Sequence, residues 1–368
     1  MSVTDVCDLD APDAASAGPG CAMAWIDHNL RLNDILTVGT HNSYHLRAHP
    51  KIMAIMQRAA PDRWWHLDYA HPPLIDQLDD GARGLELDVV YDPEGGRYAH
   101  PMGLTHAGLA EDPAYVAAMS RPGFKVLHIQ DLDFRSSVPT YVEGLTIIRD
   151  WSRAHPRHTP ILITMNTNTS KSRTRGGVDA LPFDAAAYDA LDAEIRSVFG
   201  PDQLITPDDV RGDYPTVREG ALAGCWPRLG EARGRVLLAI DETEARVAAY
   251  RGDRRSLEGR ACFVNVDETS PMGAYLTLNE HADAPRIKAA VEAGFIVRTR
   301  ADAETIEARS GDTTRRDAML ASGAQYVWTD YRHPEPGLTD YHLRLPDGAV
   351  ALANPVRAAA RCAGIPLE

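Results

Sequence analysis

Eight short apolar runs, separated by longer stretches of helical character, constrain this chain more than any other feature. They are DILTVG (34–39), GLELDVVY (84–91), FKVLHI (124–129), PILITM (160–165), RVLLAI (235–240), ACFVNV (261–266), GFIVRT (294–299) and AQYVWT (324–329). They are rich in β-branched residues and nearly continuous in apolarity, the pattern of strands buried on both faces. Between them lie the helix candidates YVEGLTIIRDWSRAH (141–155), FDAAAYDALDAEIRSVF (183–199), DAPRIKAAVEAG (283–294) and AETIEARSGDTTRRDAMLAS (303–322).

Eight strands alternating with helices predict an α/β fold, a (β/α)8 TIM barrel, with some distortion allowed for and long loops at the C-terminal face of the strands. A doubly wound sheet would also alternate, but it usually places a glycine-rich phosphate loop after its first strand. Here the first run ends in THNSYH. The DPEGG turn at 92–96 reads as a hairpin tip, an excursion after the second strand. The stretch DDVRGDYPTVREGALAGCWPRLG (208–230) reads as a loop-rich insertion. Residues 1–30, rich in Ala, Asp, Gly and Pro, read as a flexible lead-in, 31–335 as the barrel, and 336–368 as an extension packed on it.

Of the 368 residues, 44% are hydrophobic and 24% charged, enough for a sizeable core. The net charge of −14 argues against a nucleic-acid partner, which would call for a basic stripe. No stretch approaches the ~20 apolar residues of a membrane helix. No secretory signal is recognisable, so the cytoplasm is the default expectation. Export stays open, and with it a Cys7–Cys21 bond among five cysteines that form no zinc spacing.

In such a barrel the active site lies where the strands end. The first run delivers His41 and Asn42. The second delivers Glu86 and Asp88, two residues apart and so on one face of a strand. Two inward carboxylates repel and lose solvation unless a cation lies between them. The third run delivers His128, then Asp131 and Asp133, and the fourth Asn166. The seventh delivers Arg298 and Arg300 on alternate positions. Each residue alone has a structural reading: a cap, an ion pair, a hydrogen-bonded core histidine. All of them together at strand ends point to one catalytic site. Asn42, Glu86, Asp88 and Asn166 are hard oxygen donors, a calcium- or magnesium-type set. His41 and His128 are then free for proton transfer. Arginines beside a divalent cation suit a phosphodiester. Arg135 and Lys171, on the loops that follow, join the arginines as candidate substrate-binding cations. His100 and His106, on the excursion, are rivals to His128. His45 is expected to pack or cap just outside the site.

These residues resemble the phosphatidylinositol-specific phospholipases C, and most of all the bacterial calcium-dependent phosphoinositide phospholipase C-like proteins. THNSY (40–44), GARGLELDVVYD (81–92) and VLHIQDLDF (126–134), followed by PILITMN, carry the resemblance, with GFIVRTRAD and AQYVWTDY near the end. The resemblance covers about residues 31–335. It implies His41 and His128 as an acid/base pair, and calcium, ahead of magnesium, on Asn42, Glu86 and Asp88. The family's fourth ligand is usually a glutamate where this chain has Asn166, so one negative ligand is missing. The implied reaction is cleavage of phosphatidylinositol to a cyclic inositol phosphate and diacylglycerol. The implied partners are a phospholipid or head-group phosphodiester, met by a monomer in transient contact with a membrane surface. Two alternatives stand beside it. One is a glycerophosphodiester- or sphingolipid-type phosphodiesterase, and the other a catalytically weak phosphoinositide-binding protein, motivated by Asn166.

Overall fold

The computed structural model describes residues 7–362 and 364–368. Eight parallel strands form its centre: β1 Ile35–Thr40, β2 Gly84–Glu86, β3 Ile161–Met165, β4 Val236–Ile240, β5 Cys262–Val264, β6 Tyr275–Thr277, β7 Ile296–Arg300 and β8 Tyr326–Thr329. They hydrogen-bond in the order β5-β4-β3-β2-β1-β8-β7-β6. A single parallel bridge, Asn265 with Tyr275, joins the two ends of that order. The result is a curled sheet, a distorted (β/α)8 barrel. Nearly every strand residue is buried, which explains the continuous apolar runs.

Helices cover the strands. Tyr141–Ala154 buries Tyr141, Leu145, Ile148 and Trp151, one apolar stripe at helical spacing. Ala185–Val198 starts where the Asp184 carboxylate accepts from the Ala187 N–H, and it buries Tyr188, Leu191, Ile195 and Val198. The 303–322 stretch is not one helix. Gly311, at φ +76°, divides it into Ile306–Ser310 and Thr314–Ala321.

One close approach fixes the barrel interior. Gly39 of β1 pairs with Gly84 of β2. A Cβ on Gly39 would lie 2.5 Å from the Gly84 carbonyl oxygen, and one on Gly84 would lie 2.0 Å from the Trp328 ring. The indole of β8 fills the space that Gly84 leaves, and the backbone of β2 fills the space at Gly39.

Several expectations about the strands and their connections change. FKVLHI is not a barrel strand. The GLELDVVY run breaks after Glu86, and its second half, Val89–Val90, pairs antiparallel with Lys125–Val126 outside the barrel. The eighth barrel strand is instead Tyr275–Thr277, three residues long and too short to show a pattern. The DPEGG turn is no tight hairpin tip. The connection it opens carries helices Met102–Ala107 and Pro113–Met119 before the chain returns. The insertion after residue 206 is helical, with Pro207–Arg211, Val217–Leu222 and Leu229–Ala232.

The described part of the lead-in is folded, against the expectation of flexibility. Cys7 and Cys21 are disulfide-bonded, and helix Ala22–Asn29 buries Trp25, whose indole N–H donates to the Ala11 carbonyl at 2.9 Å. This segment packs on the insertion: Leu229 N–H donates to the Leu30 carbonyl, and Leu32 N–H to that of Pro227. Both therefore sit at the end of the barrel where the strands begin, away from the site. At the same end, strand Ala351–Ala353 pairs antiparallel with the start of β1. The Glu368 carboxylate accepts from Arg83, which is buried, and from Thr159.

Candidate active site

The strand ends gather around a polar cleft of about 390 Å³, lined by His41, Glu86, Asn166, Asp241, Arg298 and Arg300 with Asn265, Thr277 and Asn279. His41 is the first residue past β1. Its Nδ1 lies 2.8 Å from Asp330 Oδ1, and Arg300 donates to its Nε2 at 3.1 Å. An arginine has only donors, so Nε2 must carry the lone pair and Nδ1 the proton. Burial, and then the Arg300 charge, hold the His41 pKa below the ordinary imidazole range, against the pull of Asp330 and Glu86. Arg300 also donates to Asp330 Oδ2 at 2.8 Å. Asp302 completes this corner: its Oδ1 accepts from the Asp330 N–H at 2.9 Å, and burial with the Asp330 charge raises it to about 7.

Next to it is the oxygen-donor set. Glu86 ends β2, and Arg298 donates to its Oε2 at 2.5 Å while lying 5.3 Å over the Trp328 ring. Burial is the largest influence and works to raise Glu86, but Arg298, with His41 and Arg300, together outweigh it and hold the carboxylate below its usual range. Asp88 follows in the strand break. It accepts from the Asn166 N–H at 2.8 Å and from the Tyr44 hydroxyl at 3.3 Å. The same hydroxyl lies 3.4 Å from Asn42 Oδ1, so Tyr44 ties Asn42 to Asp88. Asn42 holds a left-handed backbone, φ 45°, which asparagine tolerates better than a branched residue would. Burial, and then the charge of Glu86, push Asp88 up to about 7. That is the mark of a crowded acidic pocket short of positive charge. Two carboxylates and two amides on hard oxygen donors fit calcium.

His128 does not line the cleft. Its Nδ1 lies 2.8 Å from Asp133 Oδ2, and the nearby charges of Asp88 and Glu86 act on it. Burial is the largest influence and works to lower it, but Asp133, together with Asp88 and Glu86, outweighs burial and raises it. Asp133 also receives His45 Nε2, at 2.9 Å from both oxygens, so His45 is built into the site's support rather than capping outside it. His100 and His106 pair with Glu111 and the Arg175 carbonyl and are not among the cleft residues.

Two expected cations are not brought in. Lys171 is exposed. Arg135 is exposed as well, donates to the Arg47 carbonyl, and lines a separate groove. Residues past a strand end have no register to aim them inward. Conversely, Asp241 and Asp330 were missed, although each is the first residue after an apolar run, the rule that found His41. Asp241 holds Asn265 Nδ2 at 2.9 Å and lies 3.7 Å from Arg298. Burial, above all, raises its pKa. It adds a carboxylate to the cleft wall that holds Asn166.

A parallel barrel with buried imidazoles, hard oxygen donors and arginines at the C-terminal strand ends defines a class, the barrel phosphodiesterases. The model of the family described as phosphoinositide phospholipase C, Ca2+-dependent, matches residues 30–355. The chain belongs to the calcium-dependent phosphoinositide phospholipase C family, whose members are phosphodiesterases. Comparison with curated protein sequences gives no match. Among solved structures, it is similar to a calcium-dependent phosphoinositol-specific phospholipase C of a Gram-negative Pseudomonas, described in its apo form as a myo-inositol complex. The two share 16% identity over 88% of this chain and 96% of that one, with a TM-score of 0.54. It is also similar to a Ca2+-dependent phosphatidylinositol-specific phospholipase C from Streptomyces antibioticus, at 17% identity over 82% and 95%, with a TM-score of 0.52. At these identities the likeness speaks for the fold. No helix among the described residues is long and apolar enough to cross a membrane.

Proposed function

We propose that the protein cleaves the phosphodiester of phosphatidylinositol at a membrane surface, with His41 as general base and His128 as general acid. The observation that supports this most is that each histidine is anchored through Nδ1 to a buried aspartate. His41 is held by Asp330 and His128 by Asp133, both at 2.8 Å, beside a common oxygen-donor set. Each anchor leaves Nε2 as the working nitrogen.

His41 Nε2, whose lone pair Arg300 meets until the guanidinium turns to the phosphate, takes the proton of the inositol hydroxyl next to the phosphate. That oxygen attacks phosphorus in line and closes a cyclic phosphate. His128 gives its proton to the departing diacylglycerol oxygen. The opposed settings suit these roles, since His41 is biased toward the neutral form and His128 toward the protonated one. Arg300 stands at 3.1 Å from His41 Nε2, where it can hold a phosphate oxygen close to the base. Arg298 sits deeper and neutralises Glu86. Asn42, Glu86 and Asp88 hold calcium, with Asn166 as a neutral fourth donor. Bound there, calcium supplies Lewis-acid polarisation of the phosphate and acidifies the attacking hydroxyl.

The test is turnover of phosphatidylinositol vesicles by the purified protein, with and without calcium, for the wild type and His128→Ala. A calcium-dependent cyclic inositol phosphate, lost in the variant, is the expected result. A phosphomonoester as the first product would favour a hydrolytic phosphodiesterase. Vesicle binding without turnover under any divalent metal would leave a binding role.

A further inference from the structure

Asp133 has an unusual environment for a carboxylate. It is completely buried, and among the described residues no lysine or arginine pairs with it. Its partners are two imidazoles: His45 Nε2 lies 2.9 Å from each oxygen and His128 Nδ1 lies 2.8 Å from Oδ2. The chain arranges this deliberately. Ile129 and Asp133 bridge each other through both backbone hydrogen bonds, and the turn between them passes through Asp131 at φ 73°. That fold-back brings His128 and Asp133 together, while His45 arrives from the loop after β1.

A buried carboxylate needs positive charge close by. Between His45 and Asp133 that charge is a proton or a metal ion. His45 has the outer contacts of a metal ligand. Its Nδ1 lies 3.1 Å from the Tyr69 carbonyl, and its ring stacks on Tyr69 at 4.4 Å, so ring and tautomer are fixed with Nε2 aimed at Asp133. The three donor atoms, one from each residue, lie within 4.8 Å of one another. Tetrahedral coordination with bonds of about 2.0–2.1 Å sets ligand atoms about 3.4 Å apart, so the two contacts to Asp133 open slightly and the two imidazole nitrogens, within 4.8 Å of each other, adjust to the same spacing. His128 is partly exposed, which leaves an entry path and room for a water as fourth ligand. Two imidazole nitrogens and one carboxylate suit zinc, not calcium.

We infer that His45, Asp133 and His128 form a second metal site, selective for zinc-type ions, distinct from the oxygen-donor set and inhibitory when filled. Zinc displaces the proton between His45 Nε2 and Asp133 and the one on His128 Nδ1, and so removes His128 from proton transfer. The inhibitory part rests on the role proposed for His128, whereas the binding part does not.

The experiment is a zinc titration of the full chain in saturating calcium, against a chromophoric zinc chelator, with cobalt(II) absorption as a second readout. Cys225→Ser serves as the background, because among the described residues Cys225 is the free cysteine that is not buried. The expected result is one equivalent of zinc that calcium does not displace, and cobalt bands without a thiolate charge-transfer band. Affinity should fall at least tenfold in both His45→Asn and His128→Gln. If His45→Asn does not fold, His128→Gln, altered at a partly exposed side chain, decides alone. No bound equivalent, or unchanged affinity in the folded variants, overturns the site. Stoichiometric binding with undiminished activity keeps the site and overturns the role of His128, so the two readings fail separately.

Discussion

Asp330→Asn puts the assignment of His41 at greatest risk. Asp330 gives one oxygen to His41 Nδ1 and the other to Arg300, each at 2.8 Å. Asparagine keeps the shape but offers one oxygen and one amide. If the amide faces His41, Nδ1 must become the acceptor and Nε2 takes the proton, pointing it at the Arg300 donor 3.1 Å away. The base is then lost. If the amide faces Arg300, two donors meet and the guanidinium swings off the phosphate position. Either way kcat should fall by about 10²–10⁴, or roughly 3–5 kcal/mol of barrier. Stability should suffer less than a bare buried arginine implies, where breaking a pair costs about 3–5 kcal/mol. The reason is Asp302. The Asp330 charge helps hold it at about 7, and it lies 3.9 Å from Arg300. Once that charge is gone, Asp302 ionises more readily and takes over part of the pairing. The assay is steady-state turnover on mixed micelles, alongside urea denaturation. A kcat within threefold of wild type, in a folded variant, would refute His41 as base.

Three more outcomes follow from the same contacts. The pH profile of kcat/KM should be a broad bell, because His41 is lowered and stays a base into mild acid while His128 is raised and stays an acid into mild alkali. Removing the charge in Asp133→Asn should move the alkaline limb to lower pH, and an unmoved limb would sever His128 from that role. Gly84→Ala drives a methyl into the Trp328 ring and should cost about 1–3 kcal/mol in urea unfolding, with lost activity because Arg298 lies over that indole. Glu368→Gln should cost about 1–3 kcal/mol at neutral pH by stranding Arg83. Burial works to raise the Glu368 pKa, but Arg83 and Thr159 outweigh it and hold it low. Its contribution is therefore present above the unfolded value of about 4.3 and lost as pH falls through the folded one, so wild type and variant should converge in acid.

How much was legible depends on register. Inside a strand every second residue faces the same way, so a polar residue ending an apolar run announces itself, as His41, Glu86, Asn166 and Arg298 did. Asp241 and Asp330 obey the same rule and were passed over because the runs before them looked complete. Beyond the strand end the rule lapses. Lys171 and Arg135 sit on loops whose direction no periodicity encodes, and both turned outward. The barrel itself was legible from alternation, yet one of its strands was misplaced. An apolar run such as FKVLHI can serve a side ribbon, while Tyr275–Thr277 completes the barrel with three residues. His45 was undervalued because its partner, Asp133, lies on a different loop, and sequence spacing says nothing of such meetings.

The pairing of β1 carries a temporal consequence. Thr37 lies opposite both Tyr326 and Ala351, which a ribosome makes long after β1 itself. Until then β1 has an unpaired edge, and contacts between such distant positions form slowly. His41 and Asn42 extend from that strand, and Asp330 extends from its late partner. A nascent chain that has not yet reached Asp330 therefore lacks the partner that fixes His41, and the proposed activity waits until β8 is made and docked on β1.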